Sequence, residues 1–398
     1  MSAAVLDIDL NKMPSIIEGL EGYLQAFVLI RVGVRPVGQI WVPIEDERLS
    51  GADILDHIKR SRDRLLWHQI VVNNFLQGNV VEHPSKLPTA TVVVVTRDRP
   101  RELRRCLNAL LALPDDGQEY LVIDNCPSTD ETKRLVAGHG DRVRYIREDR
   151  PGASAARNRA LREAKTEIVA FTDDDAFPDP GWLRALLGNF NDPLVLCATG
   201  LVLPFELETD AQCGFERYSP HGRGFTRIVY DSLHYDALNV GPVGVSASMA
   251  LHKSILELVG GFEETLSPGT PARAGEDYEL FSRILRSGYR IVYDPAAISW
   301  HRHRRSWQEL RQAIFGYGIA VYAQWTHTFF VEHEFTIPRL ALAWFGYKQL
   351  PNLIRSLLRK PDCFPLDLLL AELTGCAVGP FAYLRSRRRL GSLKGNAS

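Results

Sequence analysis

The stretch FTDDDAF, residues 171–177, sets three consecutive aspartates one residue after the apolar run Ile168 to Phe171. Adjacent carboxylates repel one another and raise each other's pKa, so such a run needs a reason. In extended backbone side chains alternate with period two, which sends Asp173 and Asp175 one way and Asp174 the other. Two carboxylates on one side form part of an oxygen cage suited to a hard divalent cation, Mg²⁺ or Mn²⁺. The competing reading is an exposed acidic turn ahead of a helix at Pro180. Further on, AGEDYELF puts Glu276 and Asp277 at a helix start, and SWHRHR follows with His301 24 residues after Asp277. An imidazole from His301 or His303 would complete a metal shell begun by carboxylates; a His-x-His in an Arg-rich turn can equally be surface decoration.

Three further loops carry complementary groups. Thr96-Arg97-Asp98-Arg99, Asp124-Asn125 and Glu148 to Gly152 each follow an apolar run. Asp98 and Asp124 can accept hydrogen bonds from a nucleobase edge, and Arg99 and Arg157 can meet phosphate. Gly152 precedes a helix start whose N–H groups favour an anion. Thr96, Asn125 and Asp174 share the same strand ends and are assigned with them to a bound nucleotide. Taken singly, Asp124 reads as well as a turn residue, and Arg99 as part of a solvated face.

These loops need a scaffold that brings them together. Val92–Val95, 120–123, 143–146 and 168–172 read as strands, separated by helices at 100–113, 129–137 and 153–164. That alternation predicts an open, mostly parallel sheet flanked by helices, Rossmann-like, with ligands at the carboxyl ends of its strands. A helix from Pro180 through Leu187 follows, then an irregular Gly-rich part over about 203–245. Beyond it come a strand at 246–251, helices at 253–259 and 276–286, and a strand at 290–293. Ahead of this domain, residues 26–43 read as a hairpin broken at Arg35-Pro36, and Ser50 caps a helix ending at Gly78. The Pro-containing GNVVEHPSKLP forms a linker. The predicted units are a small α+β domain over 1–88, a catalytic domain over 89–305 and a helical extension over 306–398.

Composition limits the partners. Forty-seven basic against 48 acidic residues leave a net charge of −1, so no global field favours nucleic acid. Six cysteines without a C-x-x-C spacing fit a reducing cytoplasm better than a disulfide framework. The N-terminus lacks the basic start and apolar core of a signal peptide. Residues 312–331 carry no Lys, Arg, Asp or Glu, but their glutamines, threonines and His327 weaken a membrane-spanning reading. The tail interleaves aromatic residues with Arg385, Arg387, Arg388 and Arg389. That composition suits peripheral contact with the inner face of a membrane, or else a helical layer packed on the catalytic domain.

VVVVTRDRP, YLVIDNCPSTDET, RPGASAARNRAL, VAFTDDDAFPDPGWL, GEDYELFSRILRSGYRI and SWHRHR, in this order, resemble the family-2 glycosyltransferases of GT-A fold over residues 90–305. The resemblance implies a nucleotide-sugar donor, with UDP or dTDP favoured, and a hydroxyl acceptor. It makes Asp98 and Asp124 base readers, Asp173 and Asp175 the ribose and metal ligands, and His301 a further metal ligand. It makes Asp277 the base of an inverting transfer, with Glu276 an acceptor-side candidate. A sugar nucleotidyltransferase would share the sheet and acidic site but leaves Asp277 and the histidines unexplained. A silent nucleotide-sugar-binding scaffold would have no use for intact Asp173, Asp175 and Asp277. The additional N-terminal domain is either a contact for acceptor or partner, or a structural cap.

Overall fold

The computed structural model describes residues 2–61, 63–72, 87–360 and 363–395, with side chains followed to residue 391. Strands Ala90–Thr96, Glu119–Asn125, Val143–Glu148 and Ile168–Asp173 alternate with helices Pro100–Leu110, Glu131–Ala137 and Ala153–Glu163. All four strands pair in parallel, with Ala90–Thr96 between Ile168–Asp173 and Glu119–Asn125 and with Val143–Glu148 outermost. Val93 packs into the core on one face of the sheet, while Val92 and Val94 pack into that on the other. A continuous β-branched run is what a strand covered on both sides requires.

Beyond these four the sheet becomes mixed. Ser248–His252 joins Ile168–Asp173 antiparallel, Val195–Pro204 follows antiparallel, and Arg290–His301 runs parallel to Val195–Pro204. Ala176–Pro178 closes the edge and Ile228–Tyr230 also pairs with Arg290–His301, which makes nine strands among the described residues. Two differences from the sequence reading matter for the site. Val195–Pro204, buried at all 10 positions, was not anticipated as a strand. The last strand does not stop at Tyr293 but continues to His301, its register shifting where residues 295–297 bulge out opposite Gly200 and Leu201. A bulge accommodates Pro295, which has no N–H to give to a ladder.

The N-terminal sheet has the order Ala3–Asp9, Gln25–Val32, Arg35–Pro43. Its hairpin turns at Gly33-Val34 rather than at Arg35-Pro36. Ser50 and Asp53 form a reciprocal capping box for helix Gly51–Arg60, but a second helix, Arg64–Val71, starts afresh from an Asp63 cap. Gly78 and the linker up to residue 86 lie outside the described residues. Phe27 and Leu29 share a core with Leu201, Leu203 and Ile298 of the larger sheet. Arg31 joins Asp7 to Asp179, at 2.6 and 2.7 Å. Apolar and ionic contacts of this kind are those a structural cap makes.

After the sheet, Ser306 and Glu309 cap the long helix Trp307–Val331, which packs along Leu366–Gly395. The two backbones touch through glycine. A Cβ at Gly375 would lie 2.1 Å from the Phe315 carbonyl oxygen, and one at Gly318 would lie 2.2 Å from that of Glu372. Gly375→Val is therefore expected to force the helices apart and destabilise the fold by about 1–3 kcal/mol, the usual cost of overpacking. Urea denaturation measures this, and an unchanged midpoint would mean that the two helices are not held at this spacing.

Candidate functional site

The carboxyl ends of the parallel strands face one crevice. Strand Ile168–Asp173 ends at Asp173, the chain turns through Asp174 and Asp175, and Ala176–Pro178 pairs with the end of Arg290–His301, Ala176 opposite His301. That register delivers the imidazole to the aspartates. His301 Nε2 lies 3.1 Å from Asp175 Oδ1 and 3.7 Å from Asp173 Oδ2, and one ligand atom from each of the three falls within 4.8 Å of the others. Two hard oxygens and an imidazole nitrogen at this spacing fit a divalent cation such as Mn²⁺ or Mg²⁺. Burial disfavours a charged imidazole, but the facing Asp175 and Asp173 prevail and raise His301 to about 10. Burial also works against the Asp175 charge, yet His301 and Arg99 hold its carboxyl well below the usual range.

Asp174 turns away, as the alternation requires. It is buried, accepts from the Thr96 hydroxyl at 2.7 Å and pairs with Arg99 at 2.5 Å. Burial lifts it to about 7 against the pull of Arg99. The Asp174–Thr96 hydrogen bond anchors the aspartate turn to the first strand. Arg99 uses its second terminal nitrogen on Asp175 at 2.8 Å, so its guanidinium bridges Asp174 and Asp175 of the acidic turn.

His303 is placed elsewhere. Its Nε2 lies 3.1 Å from Glu216 Oε2, both residues being buried. Burial pushes Glu216 up to about 8 and, with the nearby His301 charge, lowers His303 to about 3. His221 stands beside this pair, its ring centroid 5.5 Å from that of His301 and 6.1 Å from that of His303. Glu216 and His221 come from the part read as irregular. Their only sequence signal was a glutamate and a histidine in an aromatic stretch that also carries Arg217 and Arg223.

The second acidic pair approaches through Arg157. This buried guanidinium holds Glu276 Oε1 at 2.5 Å and Ser246 Oγ at 3.1 Å, and reaches within 3.8 Å of Asp173 Oδ1. It rests over the Phe262 ring at 5.6 Å. Arg157 therefore meets carboxylates on both sides of the crevice. Glu276 is buried beneath this contact, burial raising it to about 7 while Arg157 opposes the shift. Asp277, at the start of helix Glu276–Arg286, is partly exposed and accepts a long hydrogen bond from the Ser246 N–H at 3.4 Å. Burial raises its pKa, with Arg157 limiting the shift. Of the two, Asp277 is the more exposed, accepting among the described residues only from the backbone N–H groups of Ser246 and Tyr278, and Glu276 is committed to Arg157.

At the far end of the crevice Asp124 is fully buried. Its Oδ2 accepts from the Tyr145 hydroxyl at 2.9 Å, and its Oδ1 has no hydrogen-bond partner among the described residues. Asp98, at φ 54°, accepts from the Ser128 N–H at 2.8 Å and hydroxyl at 2.9 Å, closing the loop around this end. Asn125 is a clamp: it donates to the Arg150 carbonyl at 2.7 Å and accepts from the Gly152 N–H at 3.0 Å.

Gly152 corrects the sequence reading. The Ala153 N–H is taken by the Pro268 carbonyl at 3.1 Å and the Ser154 N–H by Ser267 Oγ at 2.8 Å, so this helix start is capped from within and does not present those groups to an anion. Glycine is needed for another reason. At φ 113° a Cβ would stand 2.9 Å from Ser267 Oγ. The segment providing the cap is also held by the Ala272 N–H, which donates to Ser386 Oγ of the last helix at 3.1 Å.

A second acidic and histidine group, Glu279, His327 and Glu332, also lies within 4.8 Å. Both Glu279 oxygens are bound by Arg283 at 2.6 Å and Glu332 is bound by Arg286, so this group is an ion-pair network tying helix Glu276–Arg286 to Trp307–Val331.

Residues 91–254 match the model of glycosyl transferase family 2. A pre-mycofactocin glycosyltransferase of Mycobacterium tuberculosis is 33% identical over 245 residues, covering 57% of this chain and 46% of that protein. An O-antigen chain rhamnosyltransferase of Salmonella anatum is 26% identical over 241 residues, covering 58% of this chain and 72% of that protein. The chain thus spans about half the length of the first of these relatives. In fold it is similar to a mannosyltransferase of Pyrobaculum calidifontis solved with GDP-Man and Mn²⁺, with a TM-score of 0.51 at 17% identity over 79% of this chain and 94% of that one.

Proposed function

Because residues 91–254 of this chain are a glycosyl transferase family 2 domain on a GT-A scaffold, we propose that it moves a sugar from a nucleotide-sugar donor to an acceptor hydroxyl by a metal-dependent, inverting displacement. The observation that carries this reading is the convergence of Asp173, Asp175 and His301, with Arg157 linking Asp173 to the Glu276-Asp277 helix start. Asp173, Asp175 and His301 would hold a Mn²⁺ or Mg²⁺ ion. Such an ion, when bound, neutralises charge developing on the departing diphosphate.

The remaining steps fall to the chain's own groups. The acceptor oxygen attacks the anomeric carbon as the bond from that carbon to the diphosphate oxygen breaks, and the hydroxyl proton passes to Asp277. Glu276 fixes Arg157, and Arg157 keeps a positive charge between the two acidic clusters. The products are the glycosylated acceptor and a nucleoside diphosphate. The acceptor class is a glycan, a lipid-linked sugar or a small molecule, met in the cytoplasm or at the inner face of a membrane. A sugar nucleotidyltransferase would release pyrophosphate from a nucleoside triphosphate instead; a panel of nucleotide sugars assayed for nucleoside diphosphate release separates the two.

For the donor base, the unpartnered Asp124 Oδ1 supports UDP or dTDP, since a pyrimidine N3–H can donate to it and the unprotonated N3 of cytosine cannot. Guanine N1–H is the other available donor. Calorimetry with UDP, dTDP, GDP and CDP in Mn²⁺ is expected to rank UDP or dTDP first. Tightest binding by CDP would overturn the base assignment, and Asp124→Asn should remove most of the preference.

A further inference from the structure

The two short C-terminal helices are inside out. Helices Ile337–Trp344 and Leu350–Leu357 are joined by the π-helical turn Phe345–Gln349. Gln349 and Ser356 are buried, at 1% and 6% exposure, while Leu342 is 73% exposed and Phe345, Leu350, Ile354 and Leu357 also face outward. In water the free energy of burial favours the opposite arrangement. The last helix repeats the pattern. Leu366, Leu370, Val378, Phe381 and Leu384 are exposed and recur at spacings of three, four and eight residues, so they form one stripe, with Phe381 at 73% exposure. The stripe ends in exposed Arg385, Arg388 and Arg389, which with Pro271 line an open cavity of ≈ 480 Å³.

The charge around this face is mainly basic, its acidic residues being confined to residues 361–372, where Asp367 is exposed and Glu372 pairs with Lys348 at 3.9 Å. Between residues 335 and 360 there are five basic side chains (Arg339, Lys348, Arg355, Arg359 and Lys360) and no Asp or Glu, and no acidic residue follows Glu372. In a chain of net charge −1 this is a strong segregation. A second copy of the chain docking here about a two-fold axis would set these cations against each other. An anionic bilayer meets both features at once, since apolar side chains enter the headgroup and acyl boundary while Lys and Arg pair with lipid phosphates.

We propose that the exposed face of the helices between Ile337 and Arg389 is a docking surface for an anionic lipid bilayer, on which the protein lies without crossing it. Leu366–Gly391 is long and apolar enough to span. Its other side, however, is committed to Trp307–Val331 by the glycine contacts, and spanning would have to break that packing. The inference goes beyond the transfer reaction and does not depend on it.

Flotation of the full-length protein with vesicles of phosphatidylcholine alone, and with phosphatidylglycerol added, tests it. Binding is expected with the anionic vesicles, weakening as salt is raised. Arg385→Ala with Arg388→Ala should lower the partition coefficient by about five-fold per charge removed. Leu342→Glu, Leu357→Glu and Phe381→Glu combined should abolish flotation while leaving the melting temperature and nucleoside diphosphate release from soluble donor unchanged. No flotation with either vesicle overturns the proposal, and so does a Glu triple variant that floats like the wild type. Sedimentation showing a wild-type dimer that the triple variant dissolves would assign the face to a second copy instead and overturn it equally.

Discussion

Asp277→Asn is expected to lower turnover by about two to four powers of ten, the usual contribution of a positioned general base. Asparagine keeps the shape and can still accept from the Ser246 N–H, but it cannot take the acceptor's proton. Metal-dependent binding of nucleoside diphosphate should stay nearly unchanged, because the residues assigned to the base and the metal lie on other elements. The measurement is a pair: single-turnover rate and calorimetric affinity on the same variant. If both fall together, Asp277 helps to build the donor site and is not its base. Glu276→Gln is the informative control. Glu276 is buried against Arg157, so its loss should disturb the whole crevice, affecting affinity as well as rate. NMR of the product adds an independent check, since an anomeric configuration retained from the donor would refute single displacement and with it the role of Asp277.

Removing a metal ligand should read out differently. Asp175→Asn and His301→Ala are each expected to weaken metal-dependent nucleotide binding by more than the roughly 10–100-fold that loss of an outer partner costs. Thermal unfolding measures this without any turnover, because a ligand that binds only the folded state raises the melting temperature by an amount that grows with the logarithm of its affinity. Wild type should gain stability when Mn²⁺ and UDP are added together, and both variants should lose most of that gain. His303→Ala is expected to lower the melting temperature in the absence of ligands, since it leaves buried Glu216 without its partner, but to keep the gain on addition. If His303→Ala abolishes the gain and His301→Ala spares it, the imidazoles have been assigned in the wrong order.

How much of this was legible in the sequence depends on how far apart the interacting residues lie along the chain. The parallel strands read correctly because runs such as Val92–Val95 need no partner to announce them. Their carboxyl ends then located the crevice. Val195–Pro204 has the same apolar character, but Thr199 and Gly200 interrupt it, and the role of Gly200 is visible only in three dimensions: a Cβ there would stand 2.1 Å from the Ala297 carbonyl oxygen. Pro295 hid the rest of the last strand, and so disguised His301 as part of a turn when it sits at the end of a ladder. The Gly152 helix start failed as an anion site because its donors are capped by Ser267 and Pro268, more than a hundred residues away. Arg99 and Asp174 followed the same rule. Their residue types suit a nucleotide, and only the folded geometry shows that they also pair with each other.

The segment between Ser267 and Gly275 is fastened to the Ala153 helix at one end, to Ser386 in its middle and, through the close approach of Gly275 to the Ala320 carbonyl oxygen, to the first long C-terminal helix. This makes the segment and the two long helices a single unit of inheritance. A gene exchange between relatives that broke at residue 306 would bring in helices shaped for another chain's segment, with Ser386 and Ala320 no longer opposite their partners. Breaks ahead of Phe262 would carry the segment and its helices together. Tails of this kind should therefore diversify in step with the loop that leads into Glu276 and Asp277, and hybrids built for new acceptors need to respect that seam.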